Sequence, residues 1–147
     1  MEKKYCYEYP HPAVTCDCIV FSEVDDRLHV LLIQRGNEPF KGCWAFPGGF
    51  MEIDETAETC AVRELQEETG LVVEEKDIVQ FHTFSNVNRD PRERIVTVTF
   101  YTVQPYCEAS GGDDAACARW FPVDEVPNLA FDHDLMLRMA LEHKSKN

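Results

Sequence analysis

The chain has 147 residues, enough for one domain (residues 1–147) with a continuous core, and 44% hydrophobic with 28% charged residues is a globular composition. Asp and Glu outnumber Lys and Arg 27 to 14, a formal net charge of -13, which argues against non-specific binding to nucleic acid or anionic membranes. No apolar run approaches the ~20 residues that span a bilayer, the first residues carry no signal-peptide core, and the seven cysteines fit no metal spacing, so the expectation is reduced thiols in a cytoplasmic protein.

In chain order, residues 12–22 and 28–35 read as strands, with Asp25-Asp26-Arg27 supplying turn chemistry between them. Residues 36–53, rich in Gly, Pro and aromatics, read as an ordered loop with at most short strands. A helix is predicted from about Asp54 to Thr69. Asp54 or Thr56 caps it, Ala57, Cys60, Ala61 and Leu65 form its apolar stripe, and Gly70 suits the position just past its end. Strands follow at 77–84 and 94–103, separated by the charged loop SNVNRDPRE. A turn at Ser110–Asp114 leads to a short strand at Ala118–Phe121. The last helix, Asp132 to His143, places Leu135, Met139 and Ala140 at helical spacing, with Leu137 and Leu141 beside them. Runs of strands around two helices predict an α/β fold with a mixed sheet and helices on its faces.

Chemistry concentrates in residues 49–71, GFMEIDETAETCAVRELQEETGL. Glu64, Glu67 and Glu68 fall at i, i+3 and i+4, one face of a helix, where like charges destabilise by roughly 0.2–0.5 kcal/mol per pair and call for a cation. Pro47-Gly48-Gly49 just before them lets backbone approach a ligand closely. A hard cation such as Mg²⁺ takes oxygen ligands and bridges carboxylates to phosphates, so an acidic groove holding it admits a polyphosphate. Such a metal also acidifies bound water, and the pattern points to hydrolysis of a phosphoanhydride.

Gly49, Glu55, Arg63, Glu64, Leu65, Glu67, Glu68, Gly70 and Leu71 satisfy every fixed position of G-x5-E-x7-R-E-U-x-E-E-x-G-U, with U aliphatic, and the chain is identified as resembling the Nudix hydrolases. The resemblance implies an α/β/α sandwich around a mixed sheet and cleavage of nucleoside diphosphates linked to another moiety. It implies Glu67 and Glu68 as metal ligands, Glu64 as a further ligand or orienting acid, and the Gly48 carbonyl as completing the shell of Mg²⁺, or of Mn²⁺ in its place. Arg63 belongs to the catalytic set by orienting a glutamate, with Glu55 as its candidate. Glu52 is either an extra ligand or a solvated acid. The general base is Asp113, Asp114 or a box glutamate.

Outside the box, Asn88-Arg89-Asp90-Pro91-Arg92 and Ala130-Phe131-Asp132-His133 resemble segments of ADP-ribose pyrophosphatases and their relatives in NAD metabolism. The expected reaction is therefore ADP-ribose to AMP and ribose 5-phosphate. The alternatives are cleansing of oxidised or noncanonical nucleoside triphosphates, or a non-catalytic nucleotide sensor. Departures stand beside this. Ser85-Asn86-Val87 lies where one group of ADP-ribose enzymes has a proline, Phe40 lies where coenzyme A enzymes need arginine, and no tyrosine marks a dinucleoside-polyphosphate enzyme near Asn88-Arg89. Arg35, Arg89 and Arg92, with Arg94 beside them, are candidate contacts for phosphates or ribose, and Phe50, Trp44 and Phe40 for stacking a base. His133 is expected to cap or brace the last helix, and His11 and His143 to do nothing specific. The expected partner is a nucleotide rather than nucleic acid or membrane. Many relatives dimerise, so a homodimer is compatible with the resemblance.

Overall fold

The computed structural model describes residues 4–109 and 115–147. Two long β-rich segments, β1 (Ala13–Val24) and β2 (Arg27–Arg35), form a hairpin whose turn holds Asp25 and Asp26 at φ 53° and 62°. Positive φ at both central residues is what a tight hairpin turn needs, and Asp tolerates it better than most side chains. Two short strands, β3 (Trp44–Ala45) and β4 (Gly48–Phe50), lie in the Gly-rich loop, followed by β5 (Val79–Phe84), β6 (Ile95–Val103) and β7 (Ala115–Pro122). The sheet runs β3-β2-β1-β6-β5, with β4 beside the first half of β1 and β7 beside β2. Among the described strands β1 and β6 pair in parallel, from Ala13↔Ile95 to Phe21↔Val103, the other strand pairs are antiparallel, and an isolated parallel bridge joins Trp44 to Leu129. The sheet is mixed, as expected.

Alternation along β1 decides what each face buries. Cys16, Cys18 and Val20 face one layer with Leu31 and Phe100, against Cys60, Ala61 and Leu65 of α1 (Ala57–Thr69). Ile19 and Phe21 face the other with Val30 and Leu32, against Met136, Leu137 and Ala140 of α2 (His133–Ser145). Helices thus cover both faces, giving the α/β/α sandwich. Thr56 caps α1 by accepting from Thr59 N–H at 3.1 Å, and Gly70 ends it at φ 80° with its N–H on Gln66.

Four details depart from the sequence reading. α1 begins at Ala57, because Asp54 stands outside the cap. A 3-10 turn at Glu75–Asp77 precedes β5, and β7 starts earlier and is longer than Ala118–Phe121. On α2 the fully buried stripe is His133, Met136, Leu137 and Ala140, while Leu135 and Met139 are half-buried. The helix is rotated from the expected face because its first residue, His133, is itself anchored inside. All seven cysteines are free; burial pushes the Cys18 thiol up to about 12, an unreactive thiol. No helix among the described residues is long and apolar enough to cross a membrane.

Candidate active site

The site is built where β4 runs into α1. β4 pairs with β1 through Thr15↔Phe50, Cys16↔Gly49 and Asp17↔Gly48, and is flanked by Met51 N–H on Val14 and Cys18 N–H on Pro47. Hydrogen-bonded and open pairs alternate in an antiparallel ladder, so Gly48 turns its N–H and carbonyl away from β1. That N–H donates to Glu68 Oε1 at 2.7 Å. Both glycines are required by space. A Cβ on Gly48 would stand 2.5 Å from the Cys16 carbonyl oxygen, and one on Gly49 would stand 2.6 Å from the carboxylate oxygens of Glu64.

Arg63 is the hub of the acidic helix face. Its Nε and Nη2 grip Glu55 at 2.9 and 2.6 Å, Nη1 reaches Glu64 at 2.8 Å and Glu67 at 3.2 Å, and Nη2 also donates to the Phe50 carbonyl at 3.1 Å. The guanidinium thus touches Glu55, the candidate for the glutamate it was expected to orient. Hydrogen bonds from Arg63 hold the Glu55 carboxyl down to about 2, and the Glu55 side chain is 7% exposed. Glu64 moves the other way, raised chiefly by burial, and burial raises Glu68 to about 8 against the lowering effect of Gly48 N–H.

Glu64, Glu67, Glu68, Gly48 and Gly49 line one open groove with Glu52, whose backbone N–H is held by Glu55 at 2.8 Å. Among the described residues no three acidic, His or Cys side chains are gathered closely enough to form a metal cage on their own. Arg63 and Gly48 hold the carboxylates apart instead. The donor chemistry nonetheless fits a hard cation: all the groups are oxygens, and among the described residues half-buried Glu68 has no cationic side chain bonded to it. Asp113 and Asp114 lie outside the described residues.

A narrower inner cavity continues from the groove past Gly48 and Glu68, lined by Asp17, Phe46, Arg89, Asp90, Phe131 and His133. Arg35, Phe50 and Arg92 line both spaces and so stand at their junction. Arg35 spends its Nε on the Pro39 carbonyl at 2.8 Å and lies 5.0 Å over the Phe131 ring. Arg92 is held by Asp90 at 2.7 and 3.1 Å between the rings of Phe50 and Phe131. Arg89 is different. It is buried in a bidentate pair with Asp132 at 2.9 and 2.8 Å, which ties the 85–94 loop to the head of α2. Arg94 reaches only the Asn86 carbonyl, at 3.5 Å. Trp44 packs in the core edge-on to Phe121, and Phe40 lies against Phe131 with the rings tilted at 60° and 4.8 Å apart.

Asp17, which sequence reasoning passed over, and His133 line the inner cavity together. Asp17 is buried on β1 and accepts from Thr97 Oγ1 at 2.6 Å. Its signal was available, as a lone charge between Cys16 and Cys18 in an otherwise apolar strand. His133 accepts from Phe46 N–H at 3.1 Å and stacks on the Phe46 ring, which is the bracing role expected for it.

A family model described as NUDIX domain matches residues 11–140. The chain is 42% identical over 143 residues to an ADP-ribose pyrophosphatase of Methanocaldococcus jannaschii, covering 97% of this chain and 80% of that protein. A MutT/nudix family protein from Enterococcus faecalis superposes with a TM-score of 0.90 at 32% identity, and the match covers 98% of this chain and 66% of that one. The NUDIX domain of Shewanella oneidensis NrtR, solved with ADP ribose, superposes with a TM-score of 0.83 at 35% identity over 92% of this chain and 90% of that one.

Proposed function

The chain belongs to the Nudix family of pyrophosphohydrolases, and on that premise we propose that it hydrolyses ADP-ribose to AMP and ribose 5-phosphate with Mg²⁺ in its groove. The observation that carries this reading is the meeting of two cavities at Gly48, Glu68, Arg35 and Arg92. A diphosphate at that junction has room for an organic group at each end, and two guanidinium groups face its charge.

Glu64, Glu67, Glu68 and the Gly48 carbonyl would hold the cation. When bound there, a divalent cation neutralises phosphate charge and makes a neighbouring water a better nucleophile. The chain's own residues do the rest. Arg63, locked by Glu55, keeps Glu64 and Glu67 on the groove side of α1, and Gly48 N–H does the same for Glu68. Arg35 and Arg92, stiffened by Phe131 and Asp90, orient the phosphates, with Phe50 at the rim. Water adds to one phosphorus as its proton passes to a general base, Asp113, Asp114 or a box glutamate, and the bridging oxygen leaves on the other phosphate.

Incubation with ADP-ribose and Mg²⁺ tests the reading. AMP and ribose 5-phosphate should appear in equal amounts and only with a divalent metal present. Tight binding without turnover would make the chain a nucleotide sensor, and preferential turnover of nucleoside triphosphates would replace the substrate.

A further inference from the structure

Asp17 is a charge placed where burial makes charge expensive. Its neighbours Cys16 and Cys18 point into the α1 layer, so its side chain points to the α2 side, and the residue is 7% exposed. Thr97 satisfies Oδ2. Oδ1 accepts no bond from any described residue and lies against Gly48, in the space that a Cβ there would fill.

His133, 4% exposed, has the complementary arrangement. Its Nδ1 accepts from Phe46 N–H, so the neutral ring carries its proton on Nε2. No described residue accepts from Nε2, and the ring lines the same cavity as Asp17. Each side chain spends one polar atom on the fold and leaves the other free. The cavity therefore offers one acceptor and one donor at its floor, behind a mouth flanked by Arg35 and Arg92.

We infer that the inner cavity is a terminal-sugar subsite, in which Asp17 Oδ1 and His133 Nε2 bind hydroxyl groups beyond the second phosphate and exclude a further phosphate. The inference rests on the reading of the groove as a diphosphate site. A sugar hydroxyl both donates and accepts, and its bond to a buried carboxylate is charge-assisted. A phosphate only accepts and carries negative charge, so at this depth it would meet the free Asp17 Oδ1 with no proton to share. A site built this way selects a diphosphate linked to a sugar over a nucleoside triphosphate.

The test is Asp17→Asn, which keeps the size of the side chain and an oxygen for Thr97. Its KM for ADP-ribose should rise about 10–100-fold while kcat changes less, and its preference for ADP-ribose over ATP should fall by a similar factor. Calorimetry with ribose 5-phosphate should show binding to the wild type and none to the variant, with melting temperatures close together. Unchanged KM and unchanged ribose 5-phosphate affinity would overturn the inference. Should the variant not fold, the wild type alone decides: ribose 5-phosphate must bind at least about tenfold tighter than inorganic phosphate, and equal affinity overturns it. Asp17-dependent ribose 5-phosphate binding without ADP-ribose turnover would remove the proposed substrate and keep the subsite. Turnover with Asp17→Asn unaltered would do the reverse.

Discussion

Glu68 is the residue on which burial and function pull hardest against each other. Its carboxyl is raised to about 8, chiefly by burial, so near neutral pH and without a cation it is largely protonated. Glu68→Gln keeps an oxygen for Gly48 N–H and removes a charge the fold does not favour. The variant should melt no lower than the wild type, yet lose roughly 100-fold or more in kcat, since even outer partners of a metal ligand are worth about 10–100-fold. Near-normal turnover would end its role as a ligand. Arg63 makes a different kind of contribution, because it acts through other side chains. Arg63→Lys keeps the charge but loses the fork that holds Glu55, Glu64 and Glu67 together. We expect kcat to fall about 10–100-fold with KM little altered, and the melting temperature to drop because the nearly buried Glu55 carboxylate is left underbonded. A fall in KM affinity alone would instead make Arg63 a substrate contact.

At the scale of elements, the two glycines of β4 face different neighbours and should fail differently. A Cβ on Gly48 meets backbone, the Cys16 carbonyl oxygen at 2.5 Å, so Gly48→Ala must part β4 from β1 and should cost about 1–3 kcal/mol of stability by urea unfolding. A Cβ on Gly49 meets only the end of the Glu64 side chain. Gly49→Ala should therefore fold nearly as well as the wild type and lose about 100-fold in kcat, the usual consequence of displacing a reacting group by an ångström. Equal losses of stability in both would show that the carboxylate cannot move. Much of this element was legible beforehand. The glutamate spacing follows the three-to-four-residue period of one helix, and the Thr56 cap and Gly70 terminus are local signals at its two ends. The glycines' separate duties were not, because they depend on which strand β4 lies against. The rotation of α2 was hidden for the same reason: Leu135 and Met139 fit a helical stripe as well as Met136 does, and only the packing partner chooses between them.

Over the whole molecule, the site is held by ties between distant segments: Thr97 to Asp17, Arg89 to Asp132, and Phe46 to His133. No periodicity announces such pairs, which is why the box was readable and the inner cavity was not. The last tie makes stability depend on pH. Burial holds the His133 imidazole below its ordinary value of 6.5, with Asp17 and Asp132 opposing and Arg89 and Arg35 assisting. In the unfolded chain the ring takes up a proton near its ordinary value, whereas the folded chain refuses it until the pH falls further. Stability from this group is complete above about pH 6.5 and is lost as the pH drops toward the folded value, at no more than about 1.4 kcal/mol per pH unit. Glu55 and Asp90, whose carboxyls are lowered in the fold, lose their contributions only at more acid pH, whereas Glu68, raised to about 8, titrates inside this window with the opposite sign, so the effect of His133 is read as a difference from a variant that keeps Glu68. His133→Gln retains an acceptor for Phe46 N–H and does not titrate. Between pH 7.5 and 5.5 the urea midpoint of the wild type should lose ground relative to that of this variant, with Glu68 contributing equally to both. Parallel curves would mean that the folded ring accepts its proton freely, and that the Phe46 N–H bond to Nδ1 is not what anchors α2.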